Sequence, residues 1–178
     1  MMVMSLAALA AAQSSTVQAA GVDAATLDAD VQSTLLSFYV EHPGNRDIVA
    51  KSAGVLVFPR VTKAGLGVAG ERGQGSLVVN GKPAGYYQMS GASVGVTIGV
   101  AHRAEIIVFM TPEARDKFEA SNGWTVGADV GMAVASKGAG GDFDTESMRK
   151  PVIAFVLGEH GLIADVSLEG TKITKVTG

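Results

Sequence analysis

Three short stretches of the chain carry residue types whose spacing could do chemistry. Gly65-Leu66-Gly67-Val68-Ala69-Gly70 spells G-x-G-x-x-G, the spacing with which a dinucleotide-binding turn brings its backbone against a pyrophosphate. Gly91-Ala92-Ser93-Val94-Gly95 spells G-x-S-x-G, the turn that exposes a nucleophilic serine in α/β-hydrolases. Ser93, then Asp129 or Asp142, then His160 occur in the chain order of that triad. Asp142, Asp144 and Glu146 alternate in the manner of a calcium loop. Beyond these, Trp124 and the pair Tyr86-Tyr87 are aromatics that could face a ligand.

Each pattern works only on a particular element. A dinucleotide site needs a helix after its glycines and an acidic residue about 20 positions further on. Here Glu71-Arg72-Gly73-Gln74-Gly75 follows, two more glycines that disfavour a helix, and no Asp or Glu stands between Glu71 and Glu105. The serine motif needs a sharp strand-to-helix turn, whereas Ser93 opens a run in which Val94, Val96, Ile98 and Val100 alternate with small residues. The acidic run lacks the sixth-position glycine of a calcium loop, and Ile153 falls where its last glutamate should be. It reads as a solvated loop, and the aromatics read as packing residues. With no cysteine, thiolate catalysis, disulfides and cysteine-type zinc sites are excluded, and His42, His102 and His160 are too far apart for a metal motif. The expectation is a protein without catalytic residues, cofactor or metal.

The elements that carry these residues can be read from periodicity. Residues 23–41 put Leu27, Val31, Leu35 and Phe38 on one helical face, and His42-Pro43-Gly44 ends that helix. A short helix is expected from Arg46 to Ser52. From Gly54 the period becomes two. Val55–Pro59 reads as a buried strand that stops at its proline, and Asn80-Gly81 reads as a two-residue hairpin turn. Residues 104–110 read as another strand, and 124–134 as a strand with one apolar and one small-residue face. Thr111 and Pro112 mark the N-cap and first turn of a helix reaching about Ala120. The last third reads as two strands joined at Gly158–Gly161 and a third after Glu169-Gly170. Helices first, strands later and short connections specify an α+β fold: one antiparallel, β-rich domain, sheet or barrel-like, with N-terminal helices packed on it.

At 178 residues, 47% hydrophobic and 17% charged, the chain has the size and composition of one globular domain. Residues 1–20, uncharged and rich in alanine, are similar to the later part of a bacterial secretory signal ending near Val17-Gln18-Ala19. Their apolar run of about 12 residues is too short to span a bilayer, which takes roughly 20. Export is the expectation drawn from it. Charge is unevenly spread. Between His42 and Arg103 stand Arg46, Lys51, Arg60, Lys63, Arg72, Lys82 and Arg103 against only Asp47 and Glu71, in a chain of net charge −3. A positive segment in an acidic protein points to an anionic partner such as lipid headgroups, while the negative total and few aromatics argue against nucleic acid.

Three blocks, in order, resemble a known family. Ala50-Lys51-Ser52-Ala53-Gly54 through Val55-Leu56-Val57-Phe58-Pro59 is similar to an opening "AKG…FP" block. Lys63-Ala64-Gly65-Leu66-Gly67-Val68-Ala69-Gly70 with Gly73 and Gly75 is similar to "KAGFGVGG..G.G", and Gly161–Gly170 to "GLFAGVSLEG". Over 50–176 the chain resembles the SYLF-domain family, found in bacterial envelope proteins and in eukaryotic proteins at membranes and actin patches. It departs from the pattern at Ala53, at Asp165 and at Tyr86-Tyr87, where the family has a tryptophan-containing segment. The resemblance implies a single non-enzymatic module over 21–178. Eukaryotic members bind phosphoinositides and, in fungi, actin; an exported bacterial member would meet anionic phospholipid. Lys51, Arg60, Lys63, Arg72, Lys82 and Arg103 are the expected lipid-binding residues. A structural or adaptor protein binding another envelope protein is the alternative, and a Ser93 hydrolase a remote one. The helix at 23–41 has four acids and no Lys or Arg, so it is expected to pack on the sheet and not on anionic lipid.

Overall fold

The computed structural model describes residues 22–121, 123–129, 131–135, 148–163 and 166–177, with the backbone alone over 93–98. The segment 1–20 and the acidic run Asp142, Asp144 and Glu146 lie outside the described residues.

One long hairpin organises the molecule: β1 (Gly54–Val79) runs antiparallel to β2 (Lys82–Phe109), in register from Gly54↔Phe109 to Val79↔Lys82. Its turn is the expected Asn80-Gly81, with φ of 52° and 75°, the mirror-image turn whose twist matches that of paired strands. The hairpin is folded double. A Cβ on Gly75 would stand 2.6 Å from both the Val57 carbonyl oxygen and the Phe58 ring, and one on Gly54 3.4 Å from the Val79 side chain. The two ends of β1 therefore lie against each other, and only glycine lets the backbones approach so closely. The crease is at Gly65–Val68. A Cβ on Gly65 would fall on the Val68 carbonyl oxygen, Gly67 has φ 79°, and the register shifts between Leu66 and Val68.

The rest of the sheet grows from the two halves of β2. Residues 86–90 pair with β7 (Lys172–Val176), which also pairs with β3 (Trp124–Thr125). Residues 104–109 pair with β5 (Val152–Gly158), which carries β6 (Gly161–Ile163) and β4 (Ala133–Val134). All pairings are antiparallel except β4 with β5. Folding β2 makes this one sheet face itself. Leu56, Phe58, Ile107, Phe109 and Ala154 from one half meet Tyr87, Met89 and Ile173 from the other, closed by Phe118 of α3 (Pro112–Ala120).

The opposite face is covered by α1 (Ala24–Glu41) and α2 (Asn45–Lys51). Leu27, Val31, Leu35 and Phe38 of α1 are all buried, against Val55, Val57, Ile106, Val108 and Phe155. Asp23 caps α1 by accepting from Thr26 N, and Thr111 caps α3 by accepting from Ala114 N. The α+β reading, with N-terminal helices on a mainly antiparallel sheet, holds.

Two expected elements differ. The strand begun at Val55 does not stop at Pro59. A bulge between Phe58 and Val61 takes the missing N–H out of the ladder, and β1 continues. The strand expected over 124–134 is interrupted after Val126: residues 127–129 turn, Gly127 has φ 91°, and the Asp129 carboxylate accepts from Thr125 N at 2.6 Å.

Candidate functional site

The folded hairpin sorts the six basic residues into two groups. Lys51, at the end of α2, and Lys82, beside the hairpin turn, are exposed at the pole where Gly54 meets Val79. Arg60, Lys63, Arg72 and Arg103 stand on the other half, towards the crease. There Gly73 packs its Cβ position 3.1 Å from the Arg60 carbonyl oxygen, bringing the backbones at Arg60 and Arg72 together, while Arg103 pairs in register with Val61. From Gly54 to the crease is roughly ten residues of extended chain, about 30 Å of strand.

Within the second group the side chains behave differently. Arg103 is 12% exposed and lies between two carboxylates. Its Nη2 donates to Glu71 Oε2 at 2.9 Å and its Nε to Glu105 Oε1 at 2.7 Å. Lys63 Nζ stands 3.7 Å from the other oxygen of Glu71. Glu105 follows the alternation of Ile107 and Phe109 into the doubled sheet, is fully buried, and leaves Oε2 without a hydrogen bond. Burial pushes its carboxyl above the ordinary range; Arg103 opposes that shift and Glu71 adds to it. Glu71 and Glu105, the two acids of this part of the hairpin, are thus turned inward onto Arg103 and Lys63. Arg60 and Arg72 remain exposed and, among the described residues, have no ion-pair partner.

Beyond this cluster the crease presents apolar side chains to solvent: Leu66 is 81% exposed, Val68 62% and Val100 67%. Here, among the described residues, β1 and β2 bond only to each other, because β7 joins β2 at 86–90 and β5 joins it at 104–109. Beside the ribbon, an open groove of about 420 Å³ runs between α1 and the sheet, lined by Arg60, His102 and Arg103 and also by Glu41 and Glu159. Its mixed charge selects no sign of ligand.

The enzyme candidates are not assembled on the elements they need. Gly65, Gly67 and Gly70 belong to β1, and no helix opens after them. Ser93 lies within β2 opposite Ala69, and the chain runs on as strand to Phe109, so the strand-to-helix turn of a nucleophile elbow does not occur at this serine. His160 is exposed in the turn between β5 and β6. Among the described residues no three His, Asp or Glu converge to hold a metal, and no helix is long and apolar enough to cross a membrane. Tyr87 and Trp124 are core: the Phe118 ring lies 4.7 Å from Tyr87 and 4.9 Å from Trp124, and the Tyr86 hydroxyl donates to Asp28 at 2.9 Å.

Sequence reasoning missed the exposed Leu66, Val68 and Val100, because apolar residues among glycines read as packing positions. It also counted Glu71 only as one acid set against the basic residues and did not connect Glu105 to the basic segment. The one available signal was Glu71 and Glu105 bracketing a stretch of more than 30 residues without another acid.

Comparison with known proteins agrees with the resemblance. Residues 90–177, from within β2 to the end of β7, match the model of the Ysc84 family, described as Las17-binding protein actin regulator. No curated protein matches the chain. The match takes in both pairings of β2 with the rest of the sheet, and the earlier blocks at Ala50–Pro59 and Lys63–Gly75 supply its partner strand. Residues 90–177 thus form a Ysc84, or SYLF, family domain.

Proposed function

We propose that the protein is a non-enzymatic lipid-binding module of the bacterial cell envelope, reached by export, that contacts anionic phospholipid headgroups. Arg60 and Arg72 make the contact, assisted by the partly exposed Lys63. Lys51 and Lys82 form a separate, weaker positive pole, and Arg103 serves as the internal counter-ion that keeps both acids turned inward. The observation that carries this reading is the sorting of charge at the doubled hairpin: Glu105 is buried and Glu71 nearly so, both held by Arg103, while the guanidiniums of Arg60 and Arg72, without an ion-pair partner among the described residues, face out. A cation near an anionic surface contributes about 1 kcal/mol, or roughly fivefold in partitioning.

The test is co-sedimentation with phosphatidylglycerol-containing and with neutral phosphatidylcholine vesicles. Binding should require the anionic lipid, weaken with salt, and fall at least twentyfold in the double variant Arg60→Glu/Arg72→Glu, whose melting temperature should match the wild type (about 1 kcal/mol per cation). Equal recovery on both vesicles, or on neither, rejects the reading. A second reading, an adaptor for another envelope protein, draws on the strand edges at the crease that no described residue pairs with, where a partner strand could add. It predicts a pull-down partner that competes with no lipid.

A further inference from the structure

We infer that the crease of the β1–β2 ribbon is a shallow apolar wedge that enters the lipid surface between headgroups. This inference rests on the proposed anionic-lipid reading and adds a second, non-electrostatic mode of contact to it. Of the six large hydrophobic side chains that stand exposed among the described residues, three (Leu66, Val68 and Val100) gather at this one bend. Leu66 pairs with Ile98 and Ala64 with Val100, so Leu66 and Val100 sit diagonally on one face of the ribbon. Exposed apolar side chains at a corner with no third strand against it among the described residues fill no core.

A lipid surface fits this site on two grounds. Arg60 and Arg72, which have no ion-pair partner among the described residues, stand behind the corner, where headgroup phosphates would lie if the corner were inserted. The depth is limited as well. Among the described residues nothing pairs with the outer edges of the two strands at the crease, and an unsatisfied backbone group is strongly disfavoured in hydrocarbon. Insertion therefore stops with the side chains in the upper acyl region and the backbone among the headgroups. The Glu71–Arg103–Glu105 cluster at the base braces the two strands that carry the corner.

The chain has no cysteine, so Leu66→Cys takes a single environment-sensitive fluorophore, and Val40→Cys, 86% exposed on α1, gives a control label. With vesicles of phosphatidylglycerol and phosphatidylcholine, the label at 66 should shift to the blue. It should be quenched by a nitroxide high on the acyl chain more than by one near the terminal methyl, and the label at 40 should do neither. Without any label, the uncharged polar substitutions Leu66→Asn and, on the other strand, Val100→Asn should each weaken vesicle binding about tenfold while leaving its salt dependence unchanged. Vesicle binding at wild-type strength by both variants, with no acyl quenching at 66, overturns the wedge and leaves the headgroup reading standing. Quenching that is equal on neutral vesicles and insensitive to salt keeps the wedge and overturns the headgroup reading. Absence of vesicle binding overturns both. A response of the label at 66 to protein concentration alone assigns the corner to a second copy of the chain and overturns the wedge.

Discussion

Replacing Arg103 by alanine tests whether the ionic cluster is a structural brace. The substitution leaves Glu105, fully buried and already lacking a partner for Oε2, with no counter-ion, while Glu71 keeps only Lys63 at 3.7 Å. Removing one member of a buried ion pair costs about 3–5 kcal/mol, because the remaining charge is stranded in a medium that solvates it poorly. In a chain of this length each kcal/mol moves the melting temperature by about 2–4 °C, so a fall of about 6–20 °C is expected at pH 8. The pH dependence separates a stranded charge from a lost packing contact. Burial raises the Glu105 carboxyl above its ordinary value of 4.5, and Arg103 is what holds it down. A carboxyl with a raised folded-state pKa favours the fold fully below the unfolded value and loses that contribution as pH climbs through the folded one. Without Arg103 the folded pKa climbs further, so the loss extends to higher pH. Arg103→Ala should therefore lie close to wild type near pH 4 and diverge steadily towards pH 8. Adding Glu105→Gln, which removes the charge but keeps the shape, should flatten that divergence and recover most of the stability. Thermal unfolding followed by circular dichroism at several pH values reads all of this. A deficit independent of pH, or a double variant no better than the single one, refutes the assignment.

Two further perturbations address the folded-double hairpin and its interior. Gly75→Val should lower stability by about 3 kcal/mol in urea titrations, since its Cβ would meet the Val57 carbonyl and the Phe58 ring at 2.6 Å, whereas Gly70→Val, with open space around it, should be nearly neutral; equal midpoints would mean the two ends of β1 do not pack. Tyr87 is buried with its hydroxyl unpartnered, and burial pushes that hydroxyl up to about 12. In an alkaline absorbance titration it should ionise last of the three tyrosines. Stability should be whole below pH 10 and drain away as pH approaches 12, and Tyr87→Phe should retain the fold to within about 1 kcal/mol and blunt that loss. Titration of all three tyrosines together near pH 10 by a folded protein would contradict the burial.

The parts of the fold that sequence made legible are those decided locally. The helical face of Leu27, Val31, Leu35 and Phe38 needs only a period, and the Asn80-Gly81 turn needs only two residues able to take positive φ. The Thr111-Pro112 start of α3 is equally local. What sequence could not show depends on which strand meets which. Period two says that side chains alternate, and it says the same for a straight strand, for one folded on itself, and for an apolar segment broken by a turn. That is why Pro59 read as an end when it is a bulge, and why 124–134 read as one strand when Asp129 turns back to cap Thr125. The glycines at 73 and 75 were visible, but the backbone they admit lies about 15 residues earlier in the same strand.

Charge shows the same division. Counting from His42 to Arg103 finds a positive segment and treats its charges as equal. In the fold, Arg103 is spent inside on Glu71 and Glu105, while Arg60 and Arg72, exposed on the two arms of the folded β1, remain outside. The number that matters for an anionic surface is the outward charge, and it is set by burial of the acids as much as by the number of cations. The apolar crease follows from the same geometry. A phosphate-binding turn and a folded ribbon both need glycines for close backbone approach, so G-x-G-x-x-G alone cannot separate them. What separates them is the next element. A helix after Gly70 would aim its N-terminus at an anion; a strand carries the chain back along itself and leaves Leu66 and Val68 at the corner, facing whatever the protein meets.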